Sequence, residues 1–262
     1  VTIETVDDRY RPAYQRSDGL WVICREEFAC ERFDYQPGQH IVFAGPTQRA
    51  GKTTLAFKLL EYSASPELPA YVAVSKPTDK TTATEGARLG YRRTETWPIP
   101  PKFQEMWNGK PSGYLIWADM RNPDDAMIKC ESLTRDLIRW AYSQGARGKK
   151  CILVLDDTVV KSKVLHLDGD MIMIITMSGA MGIGGWFFIQ KPTDAGRTAL
   201  WSYPNAEKVF ISKDPEKRNR VRYNEIGGFD SDQVYRASQL LMPFQFLYVE
   251  RTHGYMCVVD AK

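Results

Sequence analysis

Residues 41–55 read IVFAGPTQRAGKTTL. Ile41 to Ala44 make an apolar run of strand length, and Gly45 ends it. A loop then leads into Gly51-Lys52-Thr53-Thr54 at the head of a helix expected from about Lys52 to Ser63, with Leu55, Leu59 and Leu60 on one face. A chain of phosphates needs this order of parts. Backbone N–H groups must approach it closely, a positive helix N-terminus must face it, a lysine must reach its terminal groups and a hydroxyl must hold Mg²⁺. Gly51 permits the approach, Lys52 supplies the charge and Thr53 the hydroxyl. The expected binding set is Gly45, Pro46, Thr47, Gln48, Arg49, Ala50, Gly51, Lys52, Thr53 and Thr54. One feature departs from the usual spacing. Five residues, Pro46 to Ala50, separate Gly45 from the Gly-Lys pair where four are usual, so the loop is one residue longer or its register starts at Pro46.

About 100 residues downstream, CILVLDD (151–157) is a fully apolar run ending in two carboxylates. Phosphate-loop enzymes place one carboxylate beside Mg²⁺ and a second near the attacking water at the end of such a strand. Asp156 is the expected metal-side group and Asp157 the catalytic one. Many such enzymes carry Glu in the second place, and Asp is shorter by one methylene, so slow hydrolysis is compatible with it. The plainer alternative is an Asp pair capping a strand-to-helix turn. Gln190, just after WFFI, stands where a polar side chain at a strand's C-terminal end reaches a γ-phosphate.

The rest of the chain alternates strands with helices. Residues 20–35, LWVICREEFACERFDY, suggest a hairpin, and Pro37-Gly38 turns the chain into the first core strand. Further strands are expected at Tyr71 to Val74, Tyr114 to Trp117, Trp186 to Ile189, Val209 to Ser212 and Phe246 to Glu250. Helices are expected at Met127 to Tyr142, Leu165 to Met177 and Ser231 to Met242, the last opened by Ser231. The pattern predicts an α/β fold, a mostly parallel central sheet flanked by helices. We divide it into an N-terminal extension with a β-hairpin, residues 1–37, and a phosphate-loop domain, residues 38–262.

Composition excludes several classes. With 262 residues, 43% hydrophobic and 26% charged, the chain is neither disordered nor a small disulfide scaffold. A net charge of +3 is too mild to argue for nucleic acid by itself. Five scattered cysteines and three histidines argue against a dedicated zinc site and fit reduced thiols in a cytoplasmic protein. The opening residues lack the basic and apolar regions of a secretory signal. Met171 to Ile189 runs 19 residues without a charge, but Gly179, Gly182, Gly184 and Gly185 interrupt it. A buried helix, a glycine turn and a buried strand are expected there rather than a membrane span.

Taken together, Gly45-Pro46-Thr47 with Gly51-Lys52-Thr53-Thr54-Leu55, ILVLDD, GIGGWFFIQKP and the strand VFIS resemble the FtsK–HerA superfamily of ring-forming P-loop ATPases that pump double-stranded DNA. AYVAVSKPTDK (70–80), YLIWADM (114–120) and residues 223–251 fit its smaller phage and mobile-element members, so the resemblance spans about residues 38 to 251. It implies a RecA-like P-loop NTPase fold, ATP and Mg²⁺ as cofactors and a homo-oligomeric ring. Double-stranded DNA would be gripped by its backbone, and a portal or capsid-vertex partner would join if the motor packages genomes. It also implies roles for Lys52 and Thr53 at phosphate and metal, Asp156 at the metal, Asp157 in catalysis and Gln190 as sensor. Two positions depart from the family. Gly179-Ala180 stands where a Gly-Arg pair carries a finger for the neighbouring subunit, and Gln190-Lys191-Pro192 replaces Gln-Arg-Pro. Arg49 and Arg197 are alternative fingers.

Basic clusters at 88–93 (RLGYRR), 147–150 (RGKK) and 213–222 (KDPEKRNRVR) are either phosphate-tracking loops or solvated faces. The expected activity is ATP hydrolysis coupled to DNA translocation, most narrowly in a viral packaging motor. Two rivals stand beside it: a small-molecule phosphotransferase of the nucleoside-kinase kind, and a non-catalytic nucleotide-binding assembly module.

Overall fold

Strand-forming runs buried on both faces dictate the centre of the molecule. The computed structural model describes residues 13–46, 50–100, 110–190, 205–214, 216–226 and 229–261. The strands are β1 (Tyr14–Gln15), β2 (Trp21–Cys24), β3 (Ile41–Ala44), β4 (Ala70–Val74), β5 (Arg92–Thr94), β6 (Gly113–Trp117), β7 (Cys151–Leu155), β8 (Ile183–Ile189), β9 (Lys208–Ser212), β10 (Phe246–Glu250) and β11 (Tyr255–Asp260). The helices are α1 (Arg25–Glu27), α2 (Lys52–Ser63), α3 (Lys80–Arg88), α4 (Pro123–Gly145), α5 (Asp168–Met173) and α6 (Ser231–Gln239).

Among the described residues the strands form one sheet in the order β1-β2-β11-β10-β9-β3-β8-β7-β4-β6-β5. From β9 to β5 every neighbouring pair is parallel. β10 runs antiparallel to both β9 and β11. β3, β4, β7, β8 and β9 are buried at every residue, as expected of parallel strands covered on both faces. The α/β class and the central parallel sheet are as the sequence predicts.

Several elements differ from expectation. The N-terminal hairpin exists, but its strands are β1 and β2, with Tyr14 opposite Val22 and Gln15 opposite Trp21. Residues 25–32 are helical instead of a returning strand. The Cys24 thiol accepts from the Glu27 N–H, acidic Glu26 and Glu27 sit in the first turn, and Phe28 and Ala29 face the core. β2 then pairs in parallel with β11, which joins the hairpin to the main sheet.

α6 opens one residue earlier in its cap than expected: Asp230, not Ser231, accepts from the Asp232 N–H at 2.9 Å. It ends at Gln239, ahead of Pro243.

The glycine turn is shorter than expected. Gly182, at φ +77°, makes the turn, whereas Gly184 and Gly185 lie inside β8. A Cβ on Gly184 would stand 2.7 Å from the Gln39 carbonyl oxygen, so the strand crosses under the 35–40 segment only without a side chain. His40 fastens the same crossing, its Nδ1 accepting from the Gly185 N–H at 2.9 Å. No helix among the described residues is long and apolar enough to cross a membrane.

Candidate functional site

Parallel strands all point their C-terminal ends at one edge of the sheet, and ligands of such sheets bind there. At that edge the loops after β3, β4, β7 and β8 and the segment before β10 enclose a cavity of about 460 Å³. It is lined by Pro46, Ala50, Gly51, Lys52, Thr53, Thr54, Asp156, Asp157 and Gln190, all expected from the sequence. Gly45 lies at the end of β3, its N–H donating to the Ile189 carbonyl at 3.1 Å. Thr47, Gln48 and Arg49 lie outside the described residues, as do Lys191, Pro192 and Arg197.

The cradle forms because Gly51 takes a left-handed φ of +81° as N-cap of α2, a conformation that glycine adopts at little cost. Lys52 folds back onto the loop. Its ammonium donates to the Gly45 carbonyl, to that of Pro46 at 3.1 Å and to that of Ile189 at 3.2 Å. It is buried, so these carbonyls hold a cation at the centre of the loop where an incoming phosphate would meet it.

The acidic pair is divided by its surroundings. Asp156 is buried, and its Oδ2 has no hydrogen-bond partner. The Lys76 ammonium stands 3.8 Å from that oxygen. Burial pushes the Asp156 carboxyl above the usual carboxylate range, while the charges of Lys161 and Lys76 pull the other way. Asp157 turns out of the strand at φ +44°, a left-handed conformation that Asp tolerates better than most residues. Its Oδ1 accepts from Gln190 Nε2 at 3.4 Å. The structure therefore brings the expected sensor and the expected catalytic carboxylate together.

Four residues were not singled out by the sequence motifs. Lys76 and Asp79 come from the loop after β4, 3.7 Å apart, and Asp79 caps α3 by accepting from the Thr82 N–H at 3.0 Å. Lys161 is fully buried behind the acidic pair. Its ammonium donates to the Ala73 carbonyl at 3.0 Å, to the Ser75 hydroxyl and to the Asp156 carbonyl. Three donors meet three acceptors, tying the ends of β4 and β7 together, and burial lowers its pKa. Phe244, before β10, takes φ +66°. For a bulky side chain that is a true outlier, costing about 1–3 kcal/mol. SKPTDK drew attention only through resemblance, and neither VKSKVL nor MPFQF carries a recognisable pattern.

No family model and no curated protein matches this sequence. Solved structures do resemble it. B204, the DNA-packaging ATPase from Sulfolobus turreted icosahedral virus, matches with a TM-score of 0.53 at 12% identity, over 87% of this chain and 100% of that one. The fold is that of a P-loop ATPase. The cytoplasmic domain of the type VII secretion ATPase EccC from Thermomonospora curvata shares it, with a TM-score of 0.54 at 15% identity over 97% of this chain and 28% of that one. So does the pCW3 conjugation coupling protein TcpA with ATPγS, at a TM-score of 0.50 and 12% identity over 98% of this chain and 67% of that one. The genome-packaging NTPase B204 from Sulfolobus turreted icosahedral virus 2 has structures in complex with AMP, AMPPCP and ATPγS.

On this fold the remaining basic residues sort themselves. Ala180 lies at the start of β8, the end opposite Gln190. Arg88 pairs with Glu61 and Glu85, Arg93 pairs with Glu95 and covers the Trp117 ring, and Arg220 pairs with Asp232. These three are engaged internally. Arg147, Lys149 and Lys150 have no carboxylate partner among the described residues and stand at the N-terminal end of β7.

Proposed function

We propose that this chain is an ATP-hydrolysing double-stranded DNA translocase, and more narrowly a subunit of a viral genome-packaging ring. One observation carries it: a single cavity on a P-loop ATPase fold gathers the Lys52 cradle, a buried carboxylate with one oxygen that accepts no hydrogen bond and a carboxylate oriented by a glutamine.

The chemistry follows from these groups. Lys52 exchanges the carbonyls of Gly45, Pro46 and Ile189 for phosphate oxygens, which cost no rearrangement of α2. Asp157 positions a water and accepts its proton, while Gln190 fixes the carboxylate rotamer and stands near the terminal phosphate. The residues fit Mg²⁺. Among the described residues no cluster of three His, Cys, Asp or Glu side chains forms a cage, but a phosphate-bound ion needs only a hydroxyl and one carboxylate. Thr53 and Asp156 would hold it, and the Asp156 Oδ2 is an oxygen that accepts no hydrogen bond. When bound, the ion neutralises charge on the phosphates.

Ring assembly, DNA contacts and a capsid-vertex partner complete the proposal, with cytoplasmic operation. The 147–150 cluster is the better DNA contact because its cations are not engaged by carboxylates. Steady-state ATP turnover with and without long double-stranded DNA tests the proposal, with Asp157→Asn as control. Strong stimulation that disappears in the control supports it. Turnover that DNA leaves unchanged favours a phosphotransferase, and bound ATP that is never hydrolysed favours an assembly module.

A further inference from the structure

The segment before β10 exposes three large apolar side chains in a row of alternate positions: Leu240 at 56%, Met242 at 63% and Phe244 at 48%. Of these, Phe244 lines the cavity. Its ring lies 3.3 Å from where a Cβ of Gly51 would be, alongside the N-cap of α2. We propose that the Phe244 ring is the wall against which the flat base of the bound nucleotide lies. The assignment rests on the nucleotide-site reading above and extends it to the part of the ligand that the phosphate motifs do not touch.

Three independent features support it. The first is direction. Asp157 and Gln190, which face the reacting phosphate, stand just past the C-terminal ends of β7 and β8, on one side of β3. The rest of the ligand must lead away from them, and Phe244 enters from β10 on the other side, four strand spacings or about 19 Å of sheet edge from β7. The second is pre-organisation. Gln245 is buried and closes a tight turn, its side chain accepting from the Met242 N–H at 2.9 Å and its N–H donating to the Met242 carbonyl at 3.2 Å. Arg25 adds a hydrogen bond to the Phe244 carbonyl at 3.3 Å. These contacts hold the ring in its left-handed backbone conformation, where relaxation would turn it away. The third is availability. The other aromatic residue lining the cavity, Phe188, is buried and packs on Phe43 at 5.0 Å. Phe244 has no ring partner among the described residues.

A stacking wall without hydrogen bonds recognises a flat heteroaromatic ring and not its donor pattern, so ATP and GTP are bound alike. Titration calorimetry of the full chain with Mg-ATP and with Mg-tripolyphosphate, which has no base, tests the assignment. Phe244→Ala weakens ATP about tenfold and leaves tripolyphosphate within twofold. Phe244→Trp restores ATP binding and reports it through indole fluorescence. Phe244→Gly separates folding from binding: glycine relieves the φ +66° strain, so Tm holds or rises while ATP affinity still falls. ATP affinity unchanged in Phe244→Ala and Phe244→Gly, or ATP and tripolyphosphate weakened equally, would overturn the assignment and leave the phosphate site standing. A wild-type chain that binds neither ligand would overturn the nucleotide site itself, and this inference with it.

Discussion

The two ends of the parallel sheet are built on opposite terms. At the C-terminal ends, Lys52 and Lys161 are buried cations, Asp156 is a buried carboxylate with an oxygen that accepts no hydrogen bond, and Asp157 and Phe244 sit at positive φ. At the N-terminal ends of β4 and β6, Tyr71 and Tyr114 stack with centroids 5.2 Å apart and planes 8° apart. Trp97 and Trp140 meet edge-on at 4.7 Å, and Trp140 meets Tyr71 at 5.1 Å. Those rings are in preferred aromatic geometries. One end holds its groups where they would not choose to be, and the other packs its rings in relaxed geometries, although the Trp97 Nε1 there is also buried without a hydrogen-bond partner. Strain and buried charge of that kind mark a working site, whereas relaxed ring packing marks a support.

Substitutions at the two ends should therefore fail in different ways. Asp157→Asn should lower ATP turnover by about 10²–10⁴-fold with ATP affinity and Tm nearly unchanged, as single-turnover kinetics beside calorimetry would show. Trp140→Ala should do the reverse. It should remove about 3 kcal/mol of stability in urea titration while turnover per folded molecule stays within about twofold. If Trp140→Ala lost turnover at full folding, the division between the ends would break.

Lys161→Met sharpens the contrast because Lys161 is buried like a support yet placed like a site. It leaves the Ala73 and Asp156 carbonyls without their donor, and about 2 kcal/mol of stability should go with it. Turnover should fall further than affinity, since Asp156 and Asp157 lose the tie to β4. Retention of wild-type kcat would make Lys161 a purely structural residue.

A pH-dependent effect belongs to His40, just before β3, where its ring accepts from the Gly185 N–H of β8. Burial pushes its pKa from 6.5 down to about 4, so the folded chain keeps it neutral. Below pH 6.5 the unfolded chain takes up a proton that the folded chain refuses. Stability from this group is thus complete above pH 6.5 and declines as pH falls toward 4, by about 2–4 kcal/mol. Stability curves of wild type and His40→Asn should converge across that window, and parallel curves would contradict it.

Much of this was legible in the chain. Fully apolar runs ending in chemistry, Ile41 to Ala44 before the glycine loop and Cys151 to Leu155 before the two aspartates, announced both strand and site. Their signals are local: periodicity, loop glycine and charge type lie within a few residues. Lys161 and Phe244 were not legible, because what makes them functional is which strand ends the topology places beside them. Residues 25–32 misled for a related reason. Aromatic residues there look like strand formers, but Phe28 and Phe33 are spaced to reach Phe210 and Tyr248 from a helical turn. Gly184 and Gly185 looked like a turn because glycine's other use, permitting close backbone approach, leaves no mark in the sequence.

The central claim is that nucleotide chemistry belongs to the strained end alone. Hydrogen exchange with and without saturating Mg-AMPPCP tests it most directly, because it reads both ends in one experiment. Slowed exchange at residues 45–55, 154–157 and 242–246, with no change at 66–71, 110–114 and 140–151, is the predicted result. Protection at the aromatic end, or none at residues 45–55, would contradict it.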